Sequence, residues 1–259
     1  MRLVFLGTGT SYGVPQIGCP CPVCASADPR DRRTRSAALI EGDGRRILID
    51  TPPELRLQLV AAGVRSLDAV LFTHDHADHV HGIDDLRAVS VRQREPLAVY
   101  GPAATLQELV RRFPYIFDGT PAQPGTSKPE LAAHALEPGR DALVAGLRVR
   151  PLLLPHGGHT VFGYRIGPIA YLTDAKSVPD AARDQLAGLE VLVLNALLSR
   201  PHPLHLSIPE AVATAQQIGA RRTFLTHLTH ETAHAALAAR LPDGIAPAYD
   251  GLVIDLGAV

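Results

Sequence analysis

Four residues able to hold a metal ion, His74, His76, Asp78 and His79, fall within six positions, directly after the apolar run Val70-Leu71-Phe72. That run reads as the end of a buried strand. Imidazole suits first-row divalent cations, and a carboxylate adds negative charge for a second one. An H-x-H pair in an extended turn puts both rings on the same side, so the intervening Asp75 points the other way. Where the chain bends away, Asp78 and His79 face a neighbouring point. This arrangement suits two cations sharing one open cleft better than a single closed zinc site.

Ligand-type residues follow strand-like runs at three further places. Leu147 to Leu154 leads into Pro155-His156-Gly157-Gly158-His159, Ile169 to Leu172 into Thr173-Asp174, and Thr223 to Thr226 into His227-Leu228-Thr229-His230. Strand ends at one sheet edge converge in a packed α/β protein, so side chains placed there can meet. His156 and His159 are both candidates, and His156 is preferred because it directly follows the strand-ending Pro155.

The rest of the chain alternates and repeats elements. Arg2 to Leu6 reads as a strand running into Gly7-Thr8-Gly9-Thr10, which lacks the Gly-Lys-Ser/Thr ending of a phosphate-binding P-loop. Ala37 to Glu41 and Arg46 to Asp50 read as a hairpin around Gly42-Asp43-Gly44. Asp50 ends its strand before Thr51-Pro52-Pro53, where a helix can start with proline in its first turn. Asp28 to Arg35 is a mixed-charge run that reads as a solvated turn. Residues 118–139 read as a Pro/Gly-rich excursion between two halves of one domain. Ser207 with Glu210 three residues on is a capping box that starts a helix. Strands occur in runs as well as alternating with helices, which predicts an α/β (α+β) fold of two mixed sheets with helices outside.

At 259 residues, 46% hydrophobic and 20% charged, the chain can bury a sizeable core. A net charge of −1 provides no general basic field, so nucleic acid is not an expected partner. No apolar run approaches a membrane span, and the N-terminus enters a strand directly, so the expected location is the cytoplasm with no membrane partner. All three cysteines, Cys19, Cys21 and Cys24, lie in one loop. An odd, tightly spaced set is a poor disulfide framework, but it is a soft-metal clamp one ligand short of tetrahedral zinc.

With these residues in place, the chain resembles the metallo-β-lactamase superfamily. The His74-Asp75-His76-Ala77-Asp78-His79 pattern and the ordered trailing ligands carry the resemblance over about Leu3 to Leu256. Gly7-Thr8-Gly9-Thr10-Ser11, the loop Gly18-Cys19-Pro20-Cys21-Pro22-Val23-Cys24, Arg200-Pro201-His202-Pro203-Leu204-His205-Leu206-Ser207 and Thr226-His227-Leu228-Thr229-His230 narrow it. They resemble the phosphodiesterases of carbon–phosphorus lyase phosphonate metabolism, which open a 1,2-cyclic phosphate on a 5-phosphoribosyl unit. The resemblance implies an αββα sandwich, one domain over 1–259 with a cysteine-rich zinc loop at about 13–30. It implies a hydrolase with two divalent ions, zinc or manganese: His74, His76 and His156 on one, Asp78, His79 and His227 on the other, and Asp174 bridging. Cys19, Cys21, Cys24 and His230 would hold a separate structural zinc. Asp78 and His205 are the implied catalytic residues, His205 being a proton donor beside the ions with a pKa near ~6.5. Asp50 would orient a ligand histidine through its second nitrogen. His81, His134, His202 and His234 fall off the pattern and read as surface or supporting residues. The expected partner is a small phosphodiester, and a homodimer is left open. An RNA 3′-processing nuclease, a thioester or lactone hydrolase and a non-enzymatic metal-binding module are the competing functions.

Overall fold

A computed structural model describes residues 1–257. β1 (Arg2–Gly7), β2 (Ala37–Gly42) and β3 (Arg45–Ile49) form an antiparallel meander. The turn between β2 and β3 holds Asp43 and Gly44 at φ of 50° and 73°, the left-handed pair that a two-residue type I′ hairpin requires. α1 (Leu55–Ala61) then crosses to β4 (Ala69–Leu71), parallel to β3. The expected proline-led helix start is not observed. Pro53 disfavours helical backbone at Pro52, so Leu55 N–H closes a turn onto Pro52 O at 2.9 Å and the helix begins there.

α2 (Ala77–Val80), a 3₁₀ turn at Ile83–Leu86 and α3 (Arg87–Gln93) lead into β5 (Leu97–Gly101). α4 (Ala103–Arg112) and α5 (Pro114–Phe117) follow. The 118–139 excursion is only partly loop. β6 (Leu131–Ala135) pairs in parallel with β5 along its whole length. Its sequence, Leu-Ala-Ala-His-Ala, has no β-branched residue and so carries little strand signal; pairing at the sheet edge makes it a strand.

The second half repeats the plan. β7 (Ala142–Val144), β8 (Leu147–His156), β9 (His159–Ile166) and β10 (Ile169–Leu172) are antiparallel neighbours. After α6 (Asp180–Arg183) comes β11 (Val191–Asn195), after α7 (Ile208–Ile218) β12 (Arg222–Thr226), and after α8 (His234–Ala238) β13 (Ile245–Pro247). These last strands continue the sheet in parallel from β10. β14 (Val253–Asp255) returns to pair with β1. Each sheet has seven strands, ordered β14-β1-β2-β3-β4-β5-β6 and β13-β12-β11-β10-β9-β8-β7. The capping box at α7 forms as the sequence predicts, with Ser207 accepting from Glu210 N–H and the Glu210 side chain from Ser207 N–H.

The layers follow from side-chain alternation. Leu3, Phe5, Ile47 and Ile49 point between the sheets and meet Val149, Tyr164, Ile169 and Val193. Their neighbours Val4, Leu6 and Leu48 point the other way, onto Leu55, Leu59 and Leu106 of α1 and α4. On the second sheet Leu172, Leu192 and Leu194 likewise meet Ala182, Ala211 and Leu237 of α6, α7 and α8. Strands covered on both faces read as continuous apolar runs, and each fully buried Leu, Ile or Val contributes about 1.5–3 kcal/mol. The result is a four-layer αββα sandwich, the architecture expected. Among the described residues no helix is long and apolar enough to cross a membrane.

The ligand run is tied to this frame by close backbone contact. Gly82 N–H donates to Thr51 O at 2.8 Å, and a Cβ at Gly82 would sit 2.0 Å from Pro52 O. Gly82→Ala is therefore expected to destabilise the protein by about 1–3 kcal/mol. A lowered urea midpoint with unchanged m-value is the signature; an unchanged midpoint contradicts the close approach.

Candidate metal centre

The ends of β4, β8, β10 and β12 open on one rim. After β4, His74 and His76 lie in extended chain, and Asp78 and His79 ride on α2, with His79 N–H bonded to His76 O at 3.0 Å. His156 is the last residue of β8. Its register partner His159 opens β9 across the Gly157-Gly158 turn and is exposed, while His156 is buried. Asp174 and His227 follow β10 and β12 in left-handed backbone, φ 56° and 57°. A left-handed Asp or His is uncommon and costs about 1–3 kcal/mol unless the surroundings enforce it.

The side chains converge. Ligand atoms of His74, His76 and His156 lie within 4.8 Å of one another, as do those of Asp78, His79 and His227, and of His74, His79 and Asp174. Asp174 is the centre. Its Oδ2 is 3.1 Å from His79 Nε2 and its Oδ1 is 3.2 Å from His227 Nε2. Asp75 points away, onto Arg112, which also donates to Asp75 O at 2.7 Å.

Hydrogen bonds behind the cluster set which nitrogen faces it. Asp50, fully buried, accepts from Thr73 N–H and Thr73 Oγ1–H at 2.8 Å each, and from His79 Nδ1–H at 2.7 Å. Because the Thr73 hydroxyl spends its proton on Asp50, it accepts from His74 Nδ1–H at 2.9 Å. His156 Nδ1–H donates to Leu204 O at 3.1 Å. All three rings thus turn Nε2 inward. His74 Nε2 is buried without a hydrogen-bond partner, and the Nε2 atoms of His79 and His227 meet only the Asp78 and Asp174 carboxylates, off hydrogen-bond geometry. A buried polar atom left unpaired costs about 1–3 kcal/mol. Several aimed at carboxylates in one cleft are the donor set of a divalent cation site, so these residues fit the metal that the sequence implies.

Charges respond accordingly. Burial alone would lower His79, but Asp174, Asp78 and Asp50 override it and hold it well above the ordinary histidine range. Burial would raise Asp174, and His227 and His79 hold it well below the carboxylate range instead. Burial keeps His74 and His156 low, hence neutral and able to donate lone pairs.

His205 stands beside the cluster: its Nδ1 is 3.5 Å from Asp174 Oδ1, and its ring stacks on His227 at 4.9 Å. With His156 and Asp174 it forms a further group of ligand atoms within 4.8 Å. Burial pushes it down to about 3, not near 6.5, so at neutral pH it is an uncharged imidazole. The mixed-charge run also differs from a solvated turn. Arg33 within it is buried, donating to Thr8 Oγ1 at 2.8 Å and Ala248 O at 2.6 Å, and Asp31 accepts from His234 N–H at 2.6 Å. His234 is buried with it. Sequence reasoning missed Thr73, whose one signal is its place beside His74, and the role of Leu204 O, which has none.

Cys19, Cys21 and Cys24 Sγ lie 3.2, 3.4 and 3.4 Å from His230 Nδ1. One ring N–H cannot serve three sulfurs. The spacings match the S···N edges, about 3.5 Å, of a tetrahedron built on ordinary zinc bond lengths. His227 and His230, three residues apart, join different clusters, and between them Leu228 N–H bonds Thr8 O at 2.9 Å. Cys19→Ser is expected to lower Tm by at least about 4 °C, the effect of one to two kcal/mol in a chain this size. Binding at the histidine–aspartate cluster should persist; its loss by metal analysis contradicts two separate sites.

A family model described as a β-lactamase superfamily domain matches residues 45–228. An octanoyltransferase of Porphyromonas gingivalis is 43% identical over 255 residues, 97% of this chain but 51% of that protein, so the chain spans about half the length of this relative. Coenzyme PQQ synthesis protein B of Methylobacterium nodulans is 28% identical over 228 residues, 75% of this chain and 72% of that one. Among solved structures, a diphosphatase from the PhnP family is 38% identical, with a TM-score of 0.90 over 98% of this chain and 97% of the other. Zn(2+)-bound PqqB from Methylobacterium extorquens, 22% identical, has a TM-score of 0.79 over 99% and 100%, a likeness of fold.

Proposed function

The chain belongs to the β-lactamase superfamily, and on that premise we propose that it is a metal-dependent phosphodiesterase. It would hydrolyse cyclic and simple linear phosphodiesters, with a phosphoribosyl 1,2-cyclic phosphate from phosphonate breakdown as the physiological candidate. The observation that carries this reading is Asp174, whose carboxylate reaches both ligand sets, grouping with His74 and with His156 on one side and with His79 and His227 on the other. A carboxylate so placed is the bridge a two-ion hydrolase needs. Two divalent cations, zinc or manganese, would supply a water of lowered pKa and offset charge on the phosphoryl oxygens. His74, His76 and His156 would hold one; Asp78, His79 and His227 the other. Cys19, Cys21, Cys24 and His230 would hold a structural zinc.

His205 lines the same cleft. A bound phosphate brings negative charge beside its ring, which raises its pKa. That charge opposes burial and favours the imidazolium, the form able to give the leaving alkoxide a proton. The 38%-identical diphosphatase supports a second reading, cleavage of a phosphoanhydride. The attack on phosphorus is the same, but a departing phosphate needs no proton. The octanoyltransferase name describes a protein about twice as long as the matched part. Acyl chemistry is therefore an outcome for the assay, not the reading adopted.

Purified protein with Mn²⁺ or Zn²⁺ should cleave bis-p-nitrophenyl phosphate, and Asp174→Ala should reduce the rate by at least about 10³-fold, as loss of a main electrostatic element does. Activity on thioesters alone would move the assignment to acyl hydrolysis. His205→Ala should slow an alkyl phosphodiester by about 10²-fold or more and p-nitrophenyl release far less. Equal slowing of both removes His205 as the acid.

A further inference from the structure

β11 lies between β10 and β12, the strands that deliver Asp174 and His227, yet it supplies no ligand. At its end stands Asn195, fully buried and in register with Thr226. The Asn195 amide spans the neighbouring turn at two points. Its Oδ1 accepts from Ala175 N–H at 2.8 Å, and its Nδ2 donates to Ala175 O at 3.0 Å. Ala175 directly follows Asp174, whose left-handed φ of 56° must be enforced from outside. Ala175 O also accepts from Leu206 N–H at 2.8 Å, next to His205. On the other flank Ala196 N–H donates to Thr226 O at 2.9 Å, the peptide before His227.

We propose that Asn195 is a positioning residue for the dinuclear cluster. Its two-point grip on Ala175 holds Asp174 in the turn that aims one carboxylate oxygen at His79 and the other at His227. It touches no ligand atom and acts through the backbone alone. This assignment rests on the two-ion reading above. Aspartate at this position has the same shape and still accepts from Ala175 N–H, but it cannot donate and sets a negative charge against Ala175 O. Leucine has similar volume and offers neither bond. Both changes free the Asp174 turn without opening a cavity.

The test compares wild type, Asn195→Asp and Asn195→Leu by Co²⁺ titration. Visible bands of cobalt on nitrogen and oxygen ligands report the histidine–aspartate cluster. The sulfur-to-cobalt charge-transfer band from Cys19, Cys21 and Cys24 reports the separate cysteine clamp and serves as an internal check on folding. Expected are a weakening of nitrogen/oxygen-bound cobalt by roughly 10–100-fold, the range for supporting groups behind a ligand, altered visible bands and an intact sulfur band. Should the leucine variant not fold, the isosteric aspartate variant decides. Unchanged affinity and bands overturn the assignment, and so does loss of the sulfur band in step with all other binding, which makes Asn195 a general structural residue. Wild-type protein without nitrogen/oxygen-bound cobalt removes the two-ion reading and this assignment with it. Wild-type binding with unaffected variants removes the assignment alone.

Discussion

A carboxylate buried beyond the reach of water must be matched by donors, and Asp50 is matched three times. Thr73 contributes its backbone N–H and its hydroxyl, and His79 its Nδ1–H. Without them the cost of burying that charge would be several kcal/mol. With them, the end of β3 is locked to the end of β4, and the orientation of two histidine rings follows. The rim exists because this one group is satisfied. The inward-facing nitrogens of His74, His79 and His156 are set by the hydrogen bonds behind them.

Strain is placed where that locking can hold it. Asp50, Asp174 and His227 all adopt left-handed backbone, φ 63°, 56° and 57°. Each terminates a strand and turns its side chain across the rim, not along the sheet. Glycine would enter this conformation freely but would bring no ligand or acceptor. The fold therefore holds three side chains of the candidate site in an uncommon geometry, and a sandwich buried on both faces of both sheets offsets the cost.

What could be read from the sequence was local. The run from His74 to His79 announces itself because its residues are neighbours, and the Ser207–Glu210 capping box spans only four positions. Strands such as Ile47 to Ile49 show as apolar runs because both faces are covered. What escaped depends on partners far along the chain. Arg33 looks like one charge among many until Ala248 O and Thr8 close around it. Asn195 looks like a strand-ending polar residue, and its partner Ala175 lies 20 residues away. β6 lacks β-branched side chains and is a strand only because β5 has an open edge. His205 could be picked out from its motif, but its depressed basicity could not, because it comes from burial in the fold.

The thiol clamp joins residues 19 to 24 with residue 230, a separation of up to 211 positions. Closing a loop of that size is entropically slow. During synthesis the cysteine segment leaves the ribosome long before its histidine partner does. Since His227 lies on the same turn as His230, the last residue of the histidine–aspartate cluster and the last of the cysteine–histidine cluster emerge together. A chain stopped before residue 227 lacks both histidines and so holds neither side-chain cluster complete.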